Sequence, residues 1–153
     1  MAFRIEHRIG IQAPKEVIWA LISDLDRWSE WNPLYTQASG RIALGETLNL
    51  TLALPGEAPR TIAPKVTDWE PDAQIVWRLD LMPMFAHTVR YLEIEALSDT
   101  GCVFNNGEFF HGMIGERAGR SKRRVIHEGF TALGEAVKAR SEAAWRAQQG
   151  LSA

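Results

Sequence analysis

The alternation of apolar and polar residues predicts a β-strand at the start of the chain. Three isoleucines and His7 occupy every second position from residue 5 to residue 11 and alternate with the charged Arg4, Glu6 and Arg8, which is the period of a strand with one buried face. Pro14 suits the first turn of a helix, and apolar residues recur at helical spacing from there to about Ser23. The segment DLDRWSEWNP (24–33) predicts a second short helix, which Pro33 ends.

The middle of the chain predicts about six strands. The clearest alternation runs from Leu48 to Leu54, where four leucines occupy every second position before Pro55-Gly56. Further candidate strands are predicted at 61–69, 75–81, 88–97 and 102–110. Since only the turn residues Ser98–Gly101 separate the last two, these strands should form a hairpin.

A long amphipathic helix is predicted at the C-terminal end. After Gly112 the chain becomes rich in Glu, Arg, Lys and Ala, and four apolar residues from Ile126 to Val137 recur at helical spacing. This pattern continues to about Gln149. The order of elements therefore predicts one α+β domain over residues 1–153, with an antiparallel sheet packed on the last helix.

Composition narrows the classes of partner. The 153 residues are 46% hydrophobic, which is enough apolar material for one core. With 17 Lys and Arg against 19 Asp and Glu, the formal net charge is −2, so no overall positive field favours nucleic acid or an anionic membrane. The longest apolar run, Val17–Ile22, is too short to cross a bilayer, and the single Cys102 fits a reducing compartment. We expect a cytoplasmic protein without integral membrane association.

The chain contains none of the common catalytic or nucleotide-binding motifs, such as GxSxG, GxGxxG before a helix or GxxxxGK. The four histidines are not spaced as metal ligands. We therefore predict no metal and no cofactor. The basic run from Arg117 to Arg124 is interpreted as a solvated helix surface, with an anionic partner or a membrane contact as the alternative.

Strand parity places polar groups on an apolar face. Arg90 shares a face with Leu92, and Asn106 and Glu108 share a face with Phe110. The predicted hairpin brings Arg90 and Glu108 opposite or diagonal to each other, so we expect an ion pair. This pair would either orient a ligand and adjust the pKa of Glu108, or simply join the two strands. In the structural case, Arg90→Ala would cost about 3–5 kcal/mol by leaving Glu108 unpaired.

Several segments resemble those of one superfamily. They are Ala13-Pro14 with Val17 and Trp19, the segment 24–33, Trp77, and the run Asn106–Gly112. Their order resembles the START-like (SRPBCC) superfamily, and within it the polyketide cyclase/dehydrase-like proteins, over about residues 3–137. The resemblance implies the helix-grip fold, in which a curved antiparallel sheet of about six or seven strands wraps around the long C-terminal helix. It also implies two short helices after the first strand and an apolar cavity between the sheet and the helix.

The implied cavity defines a set of candidate ligand-binding residues. Aromatic residues around the second short helix would border the entrance, and apolar residues of the sheet and the last helix would form the lining, although each of these is equally well explained as core. The candidates are Trp28, Trp31 and Tyr35 at the entrance, the lining residues Leu50, Leu52, Pro64, Trp77, Leu79, Leu92, Phe110, Ile126 and Phe130, and the polar anchors Arg90, Asn106 and Glu108.

Three functions follow from these candidates. The first is binding of a small hydrophobic or aromatic ligand, lipid-like or polyketide-like, in the cavity. The second is an enzyme similar to the cyclases and dehydratases, with Glu108 as general acid or base. The third is a structural or partner-binding protein whose own side chains fill the core. The sequence alone does not decide whether the protein is an enzyme, and it does not define an oligomeric state.

Overall fold

The strands form two antiparallel sheets. The computed structural model describes residues 2–150 and contains a five-stranded sheet of order β1-β8-β7-β6-β5 and a three-stranded sheet of order β2-β3-β4. The strands are β1 (Phe3–Ile11), β2 (Tyr35–Ser39), β3 (Asn49–Leu52), β4 (Arg60–Ile62), β5 (Lys65–Glu70), β6 (Gln74–Met82), β7 (Ala86–Ser98) and β8 (Gly101–His111).

The helices lie at both ends of the chain. Helix α1 (Lys15–Ile22) and a 3₁₀ helix (Leu25–Glu30) follow β1, as the sequence predicts. The C-terminal part contains α2 (Met113–Ser121) and α3 (Arg123–Gln148). The large sheet curves around α3, which packs mainly on β1, so the α+β helix-grip prediction is confirmed.

The C-terminal helix differs from the prediction because it is broken. Lys122, between α2 and α3, has φ −110° and ψ 15°, outside the helical region. Gly119 lets α2 lie close against β8, since a Cβ atom there would be 2.6 Å from the Phe110 ring. The apolar periodicity that predicted the helix begins only at Ile126, so it carried no information about this break.

The predicted strand at 61–69 is also divided. Its first part, β4, belongs to the small sheet, and its second part, β5, is the edge of the large sheet. Pro64 lies between them, and a proline cannot donate a ladder hydrogen bond. Its carbonyl instead accepts a hydrogen bond from the Leu48 amide at 2.8 Å.

The register of the central strands fixes the neighbours of the polar residues. The hairpin at Ser98–Gly101 forms as predicted, and Arg90 lies directly opposite Glu108 across β7 and β8. Leu92 lies opposite Asn106 in the same ladder. Within residues 2–150, no helix combines the length and the apolar character that a membrane-spanning segment needs.

Candidate functional site

A cavity of about 180 Å³ lies between the curved sheet, the small sheet and the junction of α2 and α3. Most of its wall is apolar, and the few polar residues come from four strands and from the α2–α3 junction. The lining residues are Tyr35, Leu52, Leu54, Arg60, Ile62, Trp77, Leu79, Leu81, Thr88, Glu108, Phe110, Ala118, Lys122, Ile126 and Phe130.

The structure brings part of the predicted ligand-binding set together around this cavity. Contact of these side chains with a ligand remains a prediction. The members of the predicted set that line the cavity are Tyr35, Leu52, Trp77, Leu79, Glu108, Phe110, Ile126 and Phe130.

The other predicted residues lie elsewhere. Trp28 is 1% exposed and packs against the rings of Tyr35 and Trp77, one layer behind the wall. Trp31 faces a shallow groove between α1 and α3 on the outside of the molecule. The remaining residues are buried, because strand parity selects the inner face but not where along that face the open space lies. They are Leu50, Pro64, Arg90, Leu92 and Asn106.

Sequence reasoning missed several lining residues. Strand parity carried a signal for Thr88, which shares a face with Arg90, and for Leu81, which shares a face with Leu79. Ala118 and Lys122 gave no signal, because only the break between α2 and α3 turns them toward the cavity. The other missed lining residues are Leu54, Arg60 and Ile62.

Arg90 is a buried cation held by neutral acceptors. It is 1% exposed, and its Nε donates to the Tyr35 hydroxyl at 2.9 Å. Its Nη1 donates to the carbonyl oxygens of Tyr91 and Gly107, at 3.1 and 3.0 Å. Its Nη2 donates to Asn106 Oδ1 at 3.0 Å. Four hydrogen bonds therefore fix the orientation of the guanidinium group.

The predicted ion pair between Arg90 and Glu108 is wrong. The two residues are cross-strand neighbours, but Arg90 forms no salt bridge within residues 2–150. Its guanidinium carbon instead lies 4.0 Å from the ring centre of Phe130 in α3, a cation–π contact. Strand register fixes which Cα atoms lie opposite each other. A long side chain, however, can reach acceptors on other elements of the fold instead of its cross-strand neighbour.

Tyr35 contributes a phenol to the wall of the cavity. Its oxygen accepts from Arg90, and no described acceptor is hydrogen bonded to its proton. Burial raises the pKa of Tyr35 above its usual value, and the nearby Arg90 partly opposes this shift. The phenol therefore stays protonated at neutral pH and can act as a donor to an oxygen atom of a ligand.

Glu108 supplies a second polar group in the cavity wall. Burial raises its pKa above the ordinary value, against the opposing effects of Arg90, Thr88 and Arg60. The Thr88 hydroxyl is near enough to influence this carboxyl, yet it makes no hydrogen bond of normal geometry with any described residue. A carboxyl with a raised pKa in an apolar cavity can donate a proton when neutral and accept one when ionised.

The comparisons with known proteins agree with this fold. The family model for "Polyketide cyclase / dehydrase and lipid transport" matches residues 2–147, nearly the whole chain. The chain belongs to this family. The resemblance to the START-like superfamily is thereby confirmed. No curated protein matches the sequence.

Three solved structures illustrate how widely the fold of this polyketide cyclase/dehydrase family protein occurs. The ZhuI aromatase/cyclase of Streptomyces sp. R1128 is 17% identical, with a TM-score of 0.78 over 97% of this chain and 98% of that one. A START superfamily protein of Mycobacterium smegmatis is 18% identical, with a TM-score of 0.72 over 92% and 98%. A norcoclaurine synthase variant of Thalictrum flavum is 14% identical, with a TM-score of 0.70 over 94% and 96%. At these identities the likeness concerns the fold alone.

The donor set of this family member is suited to hydrogen bonding. Within the described residues, no group of three or more His, Cys, Asp or Glu side chains is arranged to hold a metal ion. The polar residues that line the cavity are Tyr35, Thr88 and Glu108, with Arg60 and Lys122 also contributing to the wall. This arrangement can orient a carbonyl group or move a proton at it.

Proposed function

We propose that the cavity binds one small apolar molecule, about the size of a single aromatic ring, that carries a carbonyl oxygen. The volume of about 180 Å³ supports this size. An apolar protein cavity of about 150 Å³ accepts benzene, whereas pockets for larger ligands usually exceed about 300 Å³. A long lipid or a fused-ring polyketide would require the walls to move apart.

The observation that carries this proposal is the Tyr35 hydroxyl. Arg90 holds its oxygen at 2.9 Å, so that the phenol is fixed and its proton is available to a ligand. The apolar walls would exclude water from the ligand, and burial of the ring would provide most of the affinity. The hydrogen bond from Tyr35 would then select molecules with an acceptor oxygen at that end.

Two ligands that differ only in whether they carry a carbonyl group test the proposed preference for an acceptor oxygen. Acetophenone and isopropylbenzene have the same number of non-hydrogen atoms, but only acetophenone has a carbonyl group. We expect acetophenone to bind about tenfold more tightly, since a hydrogen bond of about 1.4 kcal/mol corresponds to that ratio. In Tyr35→Phe the preference should disappear while isopropylbenzene binds as before. Isothermal titration calorimetry, or titration of the intrinsic tryptophan fluorescence, measures both constants.

A blocked cavity provides the control. Ala118 lines the cavity from α2, and Ala118→Phe places a ring in the space proposed for the ligand. This variant should bind neither compound and should retain the far-ultraviolet circular dichroism of the parent. The proposal fails if neither compound binds the folded parent, or if Tyr35→Phe keeps the tenfold preference.

A second candidate function is proton-transfer catalysis at the carbonyl compound. The raised pKa of Glu108 supports it, because a base titrating nearer to neutral pH is stronger when ionised. The Glu108 carboxylate would take a proton from the carbon beside the carbonyl, and Tyr35 would donate a hydrogen bond to the oxygen that becomes negative. The names of two structural neighbours, an aromatase/cyclase and a synthase, are those of enzymes.

Hydrogen exchange at acetophenone tests this chemistry. In D₂O the protein should accelerate deuteration of the methyl group, followed by NMR, about 10²- to 10⁴-fold over buffer. The rate should rise with pH as Glu108 ionises. Glu108→Gln should abolish the acceleration while keeping the acetophenone dissociation constant within about threefold. Binding without accelerated exchange would reject catalysis and leave the binding proposal intact.

A further inference from the structure

An exposed apolar surface adjoins the cavity. It is formed by the turn between β6 and β7 and by the first turn of α2, and we call it the mouth patch. Met84 is 98% exposed and Met113 is 88% exposed. Isolated apolar side chains are common on protein surfaces, but a contiguous group marks an interaction site. The mouth patch consists of Leu81, Met82, Met84, Phe85, Met113 and Ile114.

The two parts of the mouth patch are held together by the backbone. Gly112 has φ +83°, a conformation that L side chains rarely adopt. A Cβ atom at Gly112 would clash with the Phe85 carbonyl group, so the turn is packed directly against the start of α2. A Cβ atom at Gly115 would be in ordinary van der Waals contact with Ala86, at 3.6 Å. The apolar side chains therefore form one surface rather than two separate ones.

The mouth patch is continuous with the wall of the cavity. Leu81 belongs to both, being 41% exposed and also lining the cavity. Ala118 and Lys122, which follow the first turn of α2, line the cavity as well. Whatever covers the mouth patch therefore also lies beside the cavity.

A strong local positive charge accompanies the mouth patch. The short span from 113 to 124 contains five basic residues and one acidic residue, in a chain of formal net charge −2. All five basic side chains are exposed. Lys122 pairs with Glu57 at 3.0 Å, and Arg120 packs over the Phe3 ring at 4.4 Å. The others, Arg117, Arg123 and Arg124, form no salt bridge within residues 2–150.

These cations are unfavourable for the helix on which they stand. Arg123 and Arg124 open α3, whose N-terminal turn carries no acidic residue. Basic side chains at a helix N-terminus oppose the helix dipole. A negatively charged surface outside the protein would offset this repulsion, and the same surface would have to accept the apolar side chains beside the cations.

We propose that the mouth patch and the adjoining basic residues dock reversibly on a bilayer that contains anionic lipid. Met84 and Met113 would enter the acyl region, and Arg117, Arg123 and Arg124 would contact the lipid phosphates. The shape favours a bilayer over an acidic protein, since the most exposed side chains stand at a hairpin tip and a helix start. Docking in this orientation brings the cavity next to the phase in which apolar molecules dissolve.

Vesicle sedimentation tests the docking. The full-length protein should bind vesicles made of equal amounts of phosphatidylglycerol and phosphatidylcholine, and bind pure phosphatidylcholine at least tenfold more weakly. Raising the salt concentration should release it, because the charge contribution is screened. Lack of binding to the anionic vesicles at low salt would overturn the proposal.

Matched variants separate the apolar and the charged contributions. Met84→Asn with Phe85→Ser should reduce vesicle binding about tenfold or more, and asparagine tolerates the positive φ of 71° at residue 84. The control is Leu97→Ser. Leu97 is also an exposed apolar residue, with 67% of its surface accessible, and it lies near the opposite end of β7. This control variant should bind vesicles like the parent.

Charge reversal provides the second pair of variants. Arg117→Glu with Arg124→Glu should reduce binding at least about 25-fold, since each cation at an anionic surface contributes about fivefold. Arg140→Glu with Arg146→Glu makes the same change of net charge on the distant half of α3 and should leave binding within about threefold. If both double variants lose the same amount of vesicle affinity, binding depends on net charge rather than on this surface. That result would overturn the proposal.

An acidic polypeptide is the competing occupant. Polyglutamate serves as the soluble probe, measured under the same salt conditions. The bilayer proposal fails if polyglutamate binds as tightly as the vesicles and the Met84→Asn, Phe85→Ser variant binds both probes like the parent. Circular dichroism and the midpoint of unfolding confirm that each variant is folded before its binding to vesicles and to polyglutamate is measured.

Discussion

Replacing Arg90 with alanine is expected to lower the free energy of unfolding by about 3–5 kcal/mol, the range found when a large buried side chain is truncated. Arg90 connects three parts of the fold. It bonds to Tyr35 of the small sheet and to Asn106 of the large sheet, and Asn106 in turn donates to the Phe130 carbonyl of α3 at 3.2 Å. Truncation would remove these donors and leave a cavity behind the proposed ligand site.

Urea denaturation monitored by fluorescence measures this loss. Arg90→Met separates packing from hydrogen bonding, because it retains an unbranched apolar side chain and removes every donor; we expect an intermediate loss. Arg78→Ala is the control, since the Arg78 side chain is half exposed and pairs with the exposed Asp80. Its effect should stay below about 0.5 kcal/mol. A loss below about 1 kcal/mol in Arg90→Ala would contradict the central role assigned to this residue.

Replacing Glu108 with glutamine is expected to stabilise the protein increasingly as the pH rises. Burial raises the pKa of Glu108 above 4.5, so the folded state binds more protons than the unfolded state between these two pKa values. Within that window the parent loses up to about 1.4 kcal/mol of stability per pH unit. Glutamine cannot ionise, so the variant should not show this part of the loss.

Parallel urea titrations of parent and Glu108→Gln from pH 4 to pH 9 test the sign. The difference in unfolding free energy should be constant below the unfolded pKa of glutamate, grow through the window, and become constant again above the folded pKa. Contributions of the other titrating groups cancel in this difference. A difference that does not change with pH, or that grows toward low pH, would show that the folded protein does not raise the pKa of Glu108.

The hydrophobic pattern was informative wherever one face of an element is buried. The isoleucines of β1, the alternation along β7 and β8, and the helical spacing from Ile126 to Val137 each predicted an element that the structure contains. Strand parity also placed Arg90 and Glu108 on the inner face, and the predicted hairpin placed them opposite or diagonal to each other; in the structure they are opposite. These predictions depend on periodicity within a segment, which is a property of the sequence itself.

The pattern was uninformative where segments separated along the chain meet. It did not predict that Pro64 divides two strands between two sheets, or that Lys122 separates α2 from α3. Both breaks contribute to the cavity, because β4 and the α2–α3 junction form part of its wall. Predicting them requires knowing what each segment packs against, which local spacing does not contain.

The sequence by itself determined the fold class, the succession of a strand, two short helices, a run of strands and a C-terminal helical region, and the inward direction of Arg90, Asn106 and Glu108. Only the tertiary structure decided what these side chains do there. Arg90 satisfies its donors with a phenol, two carbonyls and an amide, so Glu108 lines the cavity and forms no ion pair with any described residue. The reason is physical: a buried cation must find acceptors in three dimensions, and those acceptors come from segments up to 55 residues away in the chain.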